Sequence, residues 1–212
     1  MSAPGSKRGF TLVELLIVMA IIAILTGLAF PAMSAVRRRS QMKTQKALFD
    51  KLRLNIETYA NDFGDYPPSS FKGIKLKGSN GQNEGGEVLA RCLTTSARSG
   101  PYAEFSDEQL GNLDGDSISA SKANPTRSVW STPELHELLD VWGNPIAYMH
   151  NSEYDKGSLV TLPSGETRKP AQVTANKSEK TGQYSGLTSF QLWSAGPDGE
   201  AGTEDDVRAW GE

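Results

Sequence analysis

The feature that most constrains this chain is an apolar run over residues 10–30, in which Glu14 carries the only charge. An α-helix rises about 1.5 Å per residue, so a run of this length is long enough to span a hydrocarbon layer about 30 Å thick. No polar stripe divides the run, as it would in an amphipathic helix that packs on a soluble core. The pattern predicts a transmembrane helix over residues 10–30.

The residues around the start of this run separate it from an ordinary membrane anchor. Lys7 and Arg8 are followed at once by Gly9, before the apolar run begins. In a secretory signal peptide the apolar stretch precedes the cleavage site and is removed with it. A cut after Gly9 would instead leave the apolar run, with Glu14 near its start, in the mature chain. A carboxylate in hydrocarbon is costly unless another group compensates for its charge. Glu14 therefore indicates that this segment does more than anchor the chain.

Residues 7–16, KRGFTLVELL, together with Pro31, closely resemble the amino terminus of the type IV pilin and type II secretion pseudopilin family. The resemblance implies that a prepilin peptidase removes leader residues 1–9 by cleaving after Gly9. It also implies N-methylation of Phe10 and assembly into a helical filament. Within that filament, we expect Glu14 to pair with the new amino group of Phe10 on a neighbouring subunit.

Charge is distributed unevenly along the chain. Residues 1–60 hold 9 Lys/Arg against 3 Asp/Glu, a net charge of +6, whereas the remainder holds 13 against 22, a net charge of −9. The acidic remainder argues against nucleic acid as a partner. Cys92 is the single cysteine, so no disulfide can form within the chain. Basic residues flank the predicted span on both sides: Lys7 and Arg8 favour a cytoplasmic amino terminus, whereas arginines 37–39 favour the opposite orientation. We follow the processing motif, which predicts a periplasmic carboxyl-terminal domain.

The helix is expected to continue beyond Pro31, with a bend there, and to end at residue 63. Apolar residues recur at helical spacing along one face of its second half. After them, Gly64 offers a left-handed cap, and Pro67 and Pro68 prevent continuation. The residues of this face are Leu48, Leu52, Ile56, Tyr59 and Phe63.

Past residue 64 the sequence predicts an irregular middle followed by a small antiparallel sheet, in one periplasmic domain over residues 64–212. The fold class is therefore α+β, with the sheet packed on the apolar face of the long helix. Residues 72–83 and 163–186 are polar and are expected to be loops. Short helices are predicted over residues 87–93, over 106–113 and from Thr132 onward, and strands over 146–149, 158–162 and 190–194.

The acidic segment 194–207 is the second informative feature. It contains five carboxylates, no basic residue and three glycines. Carboxylates packed into one loop repel one another, and a Ca²⁺ ion, which accepts 6–8 oxygen ligands, would relieve that repulsion. The spacing does not match an EF-hand loop, and a solvated acidic turn explains the composition equally well.

This tail resembles the calcium-binding end of the major pseudopilins of type II secretion, which share a Ser-x-Gly-x-Asp-Gly turn, an acidic pair and a tryptophan. Residues 194–199, the pair at 205–206 and Trp210 fill these places. The resemblance implies Ca²⁺ as the cofactor. The implied ligands are Asp198, Asp205 and Asp206 through their side chains and Ala195 through its carbonyl. Residues 139–148 also resemble the family, whereas nothing carries over to the long middle, about residues 70–135.

Other candidate sites are weak. Asp114-Gly115-Asp116 is similar to a metal loop, but no glutamate follows at a useful spacing, which favours a turn. Two histidines and one cysteine cannot build a convincing zinc site. Cys92 lies among apolar residues, which favours a buried thiol over a nucleophile. No phosphate loop or nucleophile elbow is present, so we predict no enzymatic activity.

The sequence therefore predicts a structural pseudopilin of a type II secretion system, held in the bacterial inner membrane by one span. Its predicted partners are copies of itself, prepilin peptidase, other pseudopilins and the inner-membrane assembly platform. Assembly would form a periplasmic filament that drives protein export. Two alternatives remain: a type IV pilus or competence pilin, and a singly anchored periplasmic binding protein or hydrolase.

Overall fold

The computed structural model describes residues 9–72, 79–118 and 133–211, except for the side chains of residues 28–32. The chain divides into two compact units, Met1–Gln41 and Met42–Glu212. Helix α1 (Leu12–Phe63) runs through both units and confirms the predicted long helix. Pro31, the site of the predicted bend, is among the residues whose side chains lie outside the description.

In the first unit, α1 presents apolar side chains that are mostly exposed. Ile17 and Ile24, for example, keep 54% and 64% of their surface exposed. Among the residues that the structure describes, no helix is long and apolar enough to cross a membrane. The predicted span covers residues 10–30, and the side chains of its last residues, 28–30, are outside the description.

In the second unit, the middle of the predicted apolar face of α1 is buried, whereas Leu48 at its start is half-buried and Phe63 at its end is 38% exposed. Leu52 and Ile56 are at most 1% exposed, and Phe49 joins them although the sequence pattern did not include it. The helix ends as predicted, because Gly64 takes a positive φ of 85° and its N–H donates to the carbonyl of Ala60 at 2.8 Å. A left-handed residue at this position stops the helix without a side-chain penalty.

Two further segments complete the irregular middle. Helix α2 (Glu84–Leu93) confirms the helix predicted over residues 87–93. Strand β1 (Leu110–Gly111) pairs antiparallel with β2 (Glu137–Leu138). Helix α2 packs closely against the backbone of Tyr148, because a Cβ at Gly85 would collide with the carbonyl oxygen of that residue.

Two of the predicted helices are wrong. In place of the helix over 106–113, a single 3₁₀ turn (Asp107–Gln109) leads directly into β1. Thr132 lies outside the described residues, but the chain after it is extended, since Glu134 forms a β-bridge with Ser117 and β2 follows. Tertiary pairing overrides the local helix signals in both places.

The carboxyl-terminal part contains the predicted antiparallel sheet. Strands β3 (Ala147–His150) and β6 (Phe190–Ser194) confirm two predicted strands and pair with each other. Strand β7 (Val207–Trp210) extends the sheet on the other side of β6. A hairpin of β4 (Ser158–Ser164) and β5 (Thr167–Val173) turns through Gly165.

The two faces of the three-stranded sheet are both covered. Tyr148, Phe190 and Leu192 join the core that contains the apolar face of α1 and helix α2. Met149 and Trp193, on the opposite face, pack with the β4–β5 hairpin. The polar loop predicted over 163–186 is therefore wrong in its first part, where β5 closes the second core. Of the predicted loop over 72–83, residues 73–78 lie outside the described residues.

Candidate functional sites

The amino terminus of α1 is closed by a reciprocal side-chain cap. The carboxylate of Glu14 accepts hydrogen bonds from the backbone N–H of Thr11 at 2.9 Å and from its hydroxyl at 2.8 Å. The N–H of Glu14 donates back to the Thr11 hydroxyl at 3.2 Å. This is the capping-box arrangement, in which two unpaired helix donors are satisfied by each other's side chains. Glu14 thus has a partner within its own chain.

The predicted processing site lies immediately before this cap. Gly9 and Phe10 precede the first helical residue and are exposed, and Phe10 keeps 81% of its surface accessible. Among the described residues other than its chain neighbour, none places an atom within 4 Å of the position that a Cβ of Gly9 would take. The peptide bond between Gly9 and Phe10 is therefore accessible from outside the chain.

The acidic segment begins with a 3₁₀ turn (Gly196–Asp198) and ends at β7. The carboxylate of Asp205 accepts a hydrogen bond from the Thr203 hydroxyl at 2.6 Å, and this bond holds the pKa of Asp205 below its ordinary value. The side chain and backbone N–H of Asp198 contribute to the same lowering. Ala195, the predicted carbonyl ligand, is fully buried at the start of the turn.

Asp206 is oriented by the sheet rather than by the other two aspartates. Its Oδ2 accepts hydrogen bonds from Trp193 Nε1 at 3.0 Å, from the Gly202 N–H at 3.1 Å and from Arg208 at 3.0 Å. Its Oδ1 is buried without a hydrogen-bond partner. The segment thus brings Asp198 and Asp205 together, whereas Asp206 faces Trp193 and keeps one oxygen unused.

A second group of carboxyl groups lies between α2, β2 and the turn after β1. Carboxylate oxygens of Glu87, Asp114 and Glu137 all lie within 4.8 Å of one another. Within the described ranges, no other three acidic, histidine or cysteine side chains meet this spacing. Asp198, Asp205 and Asp206 therefore do not meet it either. Asp116 is close enough to act electrostatically on Glu87. We call Glu87, Asp114, Asp116 and Glu137 the buried acidic cluster.

The cluster leaves several oxygens unsatisfied. Glu137 Oε1 accepts hydrogen bonds from the Leu113 N–H at 2.6 Å and from Asn83 at 3.0 Å. Asp116 Oδ2 accepts one from the Asn80 N–H at 2.9 Å. Asp114 Oδ1 accepts one from the Asp116 N–H at 3.4 Å. The other five cluster oxygens are buried without a hydrogen-bond partner: Glu87 Oε1 and Oε2, Asp114 Oδ2, Asp116 Oδ1 and Glu137 Oε2. Unsatisfied buried acceptors are costly, so this group requires an explanation.

Burial dominates the electrostatics of the cluster. It raises the pKa of Glu87 to about 10, and the neighbouring carboxylates add to the effect. Burial likewise raises the pKa of Glu137 to about 8 and that of Asp116 to about 6. Among the described residues, the cluster has Arg91 as its neighbouring cation. Arg91 is fully buried, donates to the carbonyl of Glu134 at 3.1 Å and acts electrostatically on Glu87 and Asp116.

Sequence reasoning missed this cluster because its members are far apart along the chain. The local sequence favours a turn at Asp114-Gly115-Asp116, and Gly115 does take a positive φ of 74°. The glutamates that complete the group come from α2 and β2 instead of from the residues that follow. The local sequence shows two of the four acidic residues, and only the tertiary structure brings the other two beside them.

The remaining candidate residues serve structural contacts. His150 interacts with Asp65 at 3.3 Å and with Ser152 at 2.8 Å. His136 lies 3.6 Å from Glu134. Cys92 is 6% exposed, and burial raises the pKa of its thiol to about 11, which agrees with the prediction of a buried thiol.

A long helix that leads into a small domain with antiparallel sheets is a pilin-like architecture, and comparisons with known proteins give the same class. The family described as the prokaryotic N-terminal methylation motif matches residues 5–30. The type II secretion system core protein G of Escherichia coli K12 is 25% identical over 213 residues, covering 100% of this chain and 96% of that protein.

Similar pilins are found in other bacteria. The type IV major fimbrial protein FimA of Dichelobacter nodosus is 37% identical over 154 residues, covering 73% of this chain and 89% of that protein. A fimbrial protein of Neisseria meningitidis is 24% identical over 144 residues, 66% of this chain and 75% of that protein. No solved structure gives a significant match. The chain belongs to the type IV pilin and type II secretion pseudopilin family.

Proposed function

We propose that this filament subunit is a pseudopilin of a type II secretion system. The observation that carries the proposal is the similarity to core protein G of Escherichia coli, which spans this whole chain and 96% of that relative. Its role is structural: subunits polymerise into a periplasmic pseudopilus that drives protein export. The family relationship to structural subunits supports this role over an enzymatic one.

In this proposal, residues 10–30 hold the subunit in the inner membrane before assembly, with the second unit in the periplasm. The exposed apolar side chains of α1 support the proposal, because such a surface requires lipid or neighbouring helices as partners. The accessible Gly9–Phe10 bond suits cleavage by prepilin peptidase and methylation of Phe10. The other proposed partners are further pseudopilins and the inner-membrane assembly platform.

We also propose that the acidic segment binds Ca²⁺. The buried, unpartnered Oδ1 of Asp206 and the proximity of Asp198 to Asp205 support this proposal. Carboxylate and carbonyl oxygens are the ligands that Ca²⁺ prefers, and Ala195 would contribute its carbonyl. A bound ion would cancel the repulsion between the aspartates and fix the segment between the 3₁₀ turn and β7.

A type IV pilus subunit is the second candidate function, and a specific observation favours it. FimA of Dichelobacter nodosus is 37% identical, which is higher than the 25% found for core protein G. The two functions differ in what a filament does: a pseudopilus supports export, whereas a type IV pilus extends as a surface fibre.

A clean deletion of the gene in its own organism, complemented from a plasmid, separates the two functions. Loss of secreted proteins from the culture supernatant, with surface fibres still visible by electron microscopy, is the result that we expect. Loss of fibres with secretion intact would favour the type IV pilin. If the deletion changed neither protein secretion nor the surface fibres, both proposed functions would be refuted.

A further inference from the structure

The buried acidic cluster is a site that neither the family resemblance nor the proposed function requires. Its members come from α2, from the turn after β1 and from β2, within the middle part of the chain to which no family motif carries over. The acidic segment at residues 194–207 contributes none of them. Any function of the cluster is therefore independent of the proposed tail site.

We propose that Glu87, Asp114, Asp116 and Glu137 bind one divalent cation of the calcium class. Glu87 and Glu137 are fully buried, and carboxylate oxygens of Glu87, Asp114 and Glu137 lie within 4.8 Å of one another. Both oxygens of Glu87 are inside the protein and accept no hydrogen bond from an N–H or a hydroxyl, and Glu87 can bond to the nearby carboxyl of Asp116 only through a shared proton. An ion at this point would receive the oxygens that the protein leaves unsatisfied.

The hydrogen bonds of the cluster leave Glu137 and Asp116 each with one anchored oxygen and one unused oxygen. Glu137 is held through Oε1 by Leu113 and Asn83, and its Oε2 is unused. Asp116 is held through Oδ2, and its Oδ1 is unused. Such bonds orient metal ligands from outside the coordination sphere. The arrangement thus resembles a set of oriented ligands more than a group of carboxyl groups that satisfy one another.

Charge is also compatible with an ion. Among the described residues, four carboxyl groups face the guanidinium of Arg91, and they could all be ionised away from water only if a further cation offset their repulsion. Protons are the alternative to a metal ion: a protonated Glu87 could donate to Asp116. A proton on Glu137 could form a second such bond, and two protons would satisfy at most four of the five oxygens.

The ligand set indicates which ion fits. All four side chains offer oxygen, and none offers nitrogen or sulfur, which excludes the preferred ligands of zinc and copper. Ca²⁺ accepts carboxylates in irregular geometry, whereas Mg²⁺ demands a tighter octahedron and keeps its own waters. We therefore expect Ca²⁺ to bind more tightly than Mg²⁺.

The test counts bound metal in the full-length protein, purified in detergent micelles, stripped with a chelator and dialysed against Ca²⁺. The double variant Glu87→Gln/Glu137→Gln removes two ligand charges while keeping side-chain shape. Elemental analysis should show one Ca²⁺ per chain fewer than in the unmodified protein. The matched control, Glu104→Gln/Glu108→Gln, removes the same charge from exposed positions in the same part of the chain and should retain all bound ions.

Thermal unfolding supplies the second measurement. Ca²⁺ should raise the melting temperature of the unmodified protein, and the Glu87→Gln/Glu137→Gln variant should lose part of this rise. In the chelator, the variant should melt close to the unmodified protein, because glutamine keeps the shape of glutamate and no bound ion remains to be lost. If the double variant does not fold, Asp114→Asn, at a half-buried position, provides the same comparison.

The proposed tail site is separated by repeating both measurements in an Asp206→Asn background. Loss of one further ion on adding Glu87→Gln/Glu137→Gln supports the buried site whether or not the tail binds an ion. Equal calcium content with and without the cluster substitutions, in both backgrounds, would overturn the inference and leave the cluster as a protonated network. That outcome would not affect the proposed function in secretion.

Discussion

Glu14 and Thr11 satisfy each other at the amino terminus of α1, with the Glu14 carboxylate 2.9 Å from the Thr11 backbone nitrogen and 2.8 Å from its hydroxyl oxygen. In a single subunit, therefore, Glu14 serves as a helix cap. The predicted pairing of Glu14 with the amino group of Phe10 on a neighbouring subunit would have to replace or share these bonds. The two functions of the carboxylate can be separated by substitution.

We expect Glu14→Leu to insert into the membrane normally and to fail in filament assembly, since the subunit would lose the charge that pairs with its neighbour. Thr11→Ala is the control: it removes the cap, at a cost of about 1 kcal/mol of helix stability, but keeps the carboxylate. Chemical cross-linking of membranes, followed by immunoblotting, reports both insertion and assembly. If the Leu variant assembled and supported export as well as the unmodified protein, the pairing hypothesis would be wrong.

Processing should depend on the absence of a side chain at position 9. A β-branched residue directly before the cut would crowd the peptidase site, so Gly9→Val should leave the precursor intact. Mass spectrometry of the membrane fraction should show the unmodified protein beginning at N-methylated Phe10. Gly5→Val, four residues earlier in the leader, should be processed normally. A mature chain that retained Met1 in cells with an active peptidase would refute the predicted cut.

The acidic segment should bind its own ion, and Asp206 should be required for it. Asp206→Ala removes the carboxylate whose buried Oδ1 has no partner, so one Ca²⁺ per chain should be lost and the melting temperature in Ca²⁺ should fall. At a free-ion concentration of a hundred dissociation constants, binding contributes about 2.7 kcal/mol. Glu200→Ala is the control, since only its backbone N–H contacts Asp198.

A calcium content unchanged by Asp206→Ala would return the segment to a solvated acidic turn. The Trp193 contact must be checked as well, because Asp206 Oδ2 also accepts the indole N–H. Asp206→Asn keeps an oxygen for this bond and removes the charge. If the Asn variant retained the ion while the Ala variant lost it, the carboxylate charge would not be the cause of binding.

The apolar face of α1 should account for much of the stability of the second unit. Ile56 is fully buried, so Ile56→Ala should lower the free energy of unfolding by about 2–5 kcal/mol. Leu54 is 63% exposed on the same helix, and Leu54→Ala should change it by no more than about 0.5 kcal/mol. Chemical denaturation followed by circular dichroism measures both. Equal effects would mean that this face does not form the core.

Local patterns predicted the elements whose signal lies within the element itself. Helix α1 was predicted from its apolar face, which includes Leu52 and Ile56, and its end was predicted from Gly64. Both signals lie in or next to the helix itself. The predicted bounds of strand β6 match the observed ones, and all five of its residues are buried. In these segments the chain's periodicity and its tertiary environment agree.

The missed elements depend on partners that the pattern could not show. Strand β5 is mostly exposed and contains Pro170, so it has no apolar alternation, and it forms because β4 pairs along its whole length. Strand β7 has only Val207 buried within an acidic context. The buried acidic cluster joins Glu87 to Glu137 across fifty positions, so only the folded chain brings them together.

The solitary, inaccessible thiol of Cys92 makes this protein well suited to mapping its own assembly. A cysteine introduced at an exposed position would be the sole reactive one, since burial slows reagents and the raised pKa keeps the native thiol protonated at neutral pH. Pairs of such cysteines on opposite flanks of the subunit would form disulfides only where two copies touch. The order of neighbours along the fibre could then be determined in living cells without first replacing a native residue.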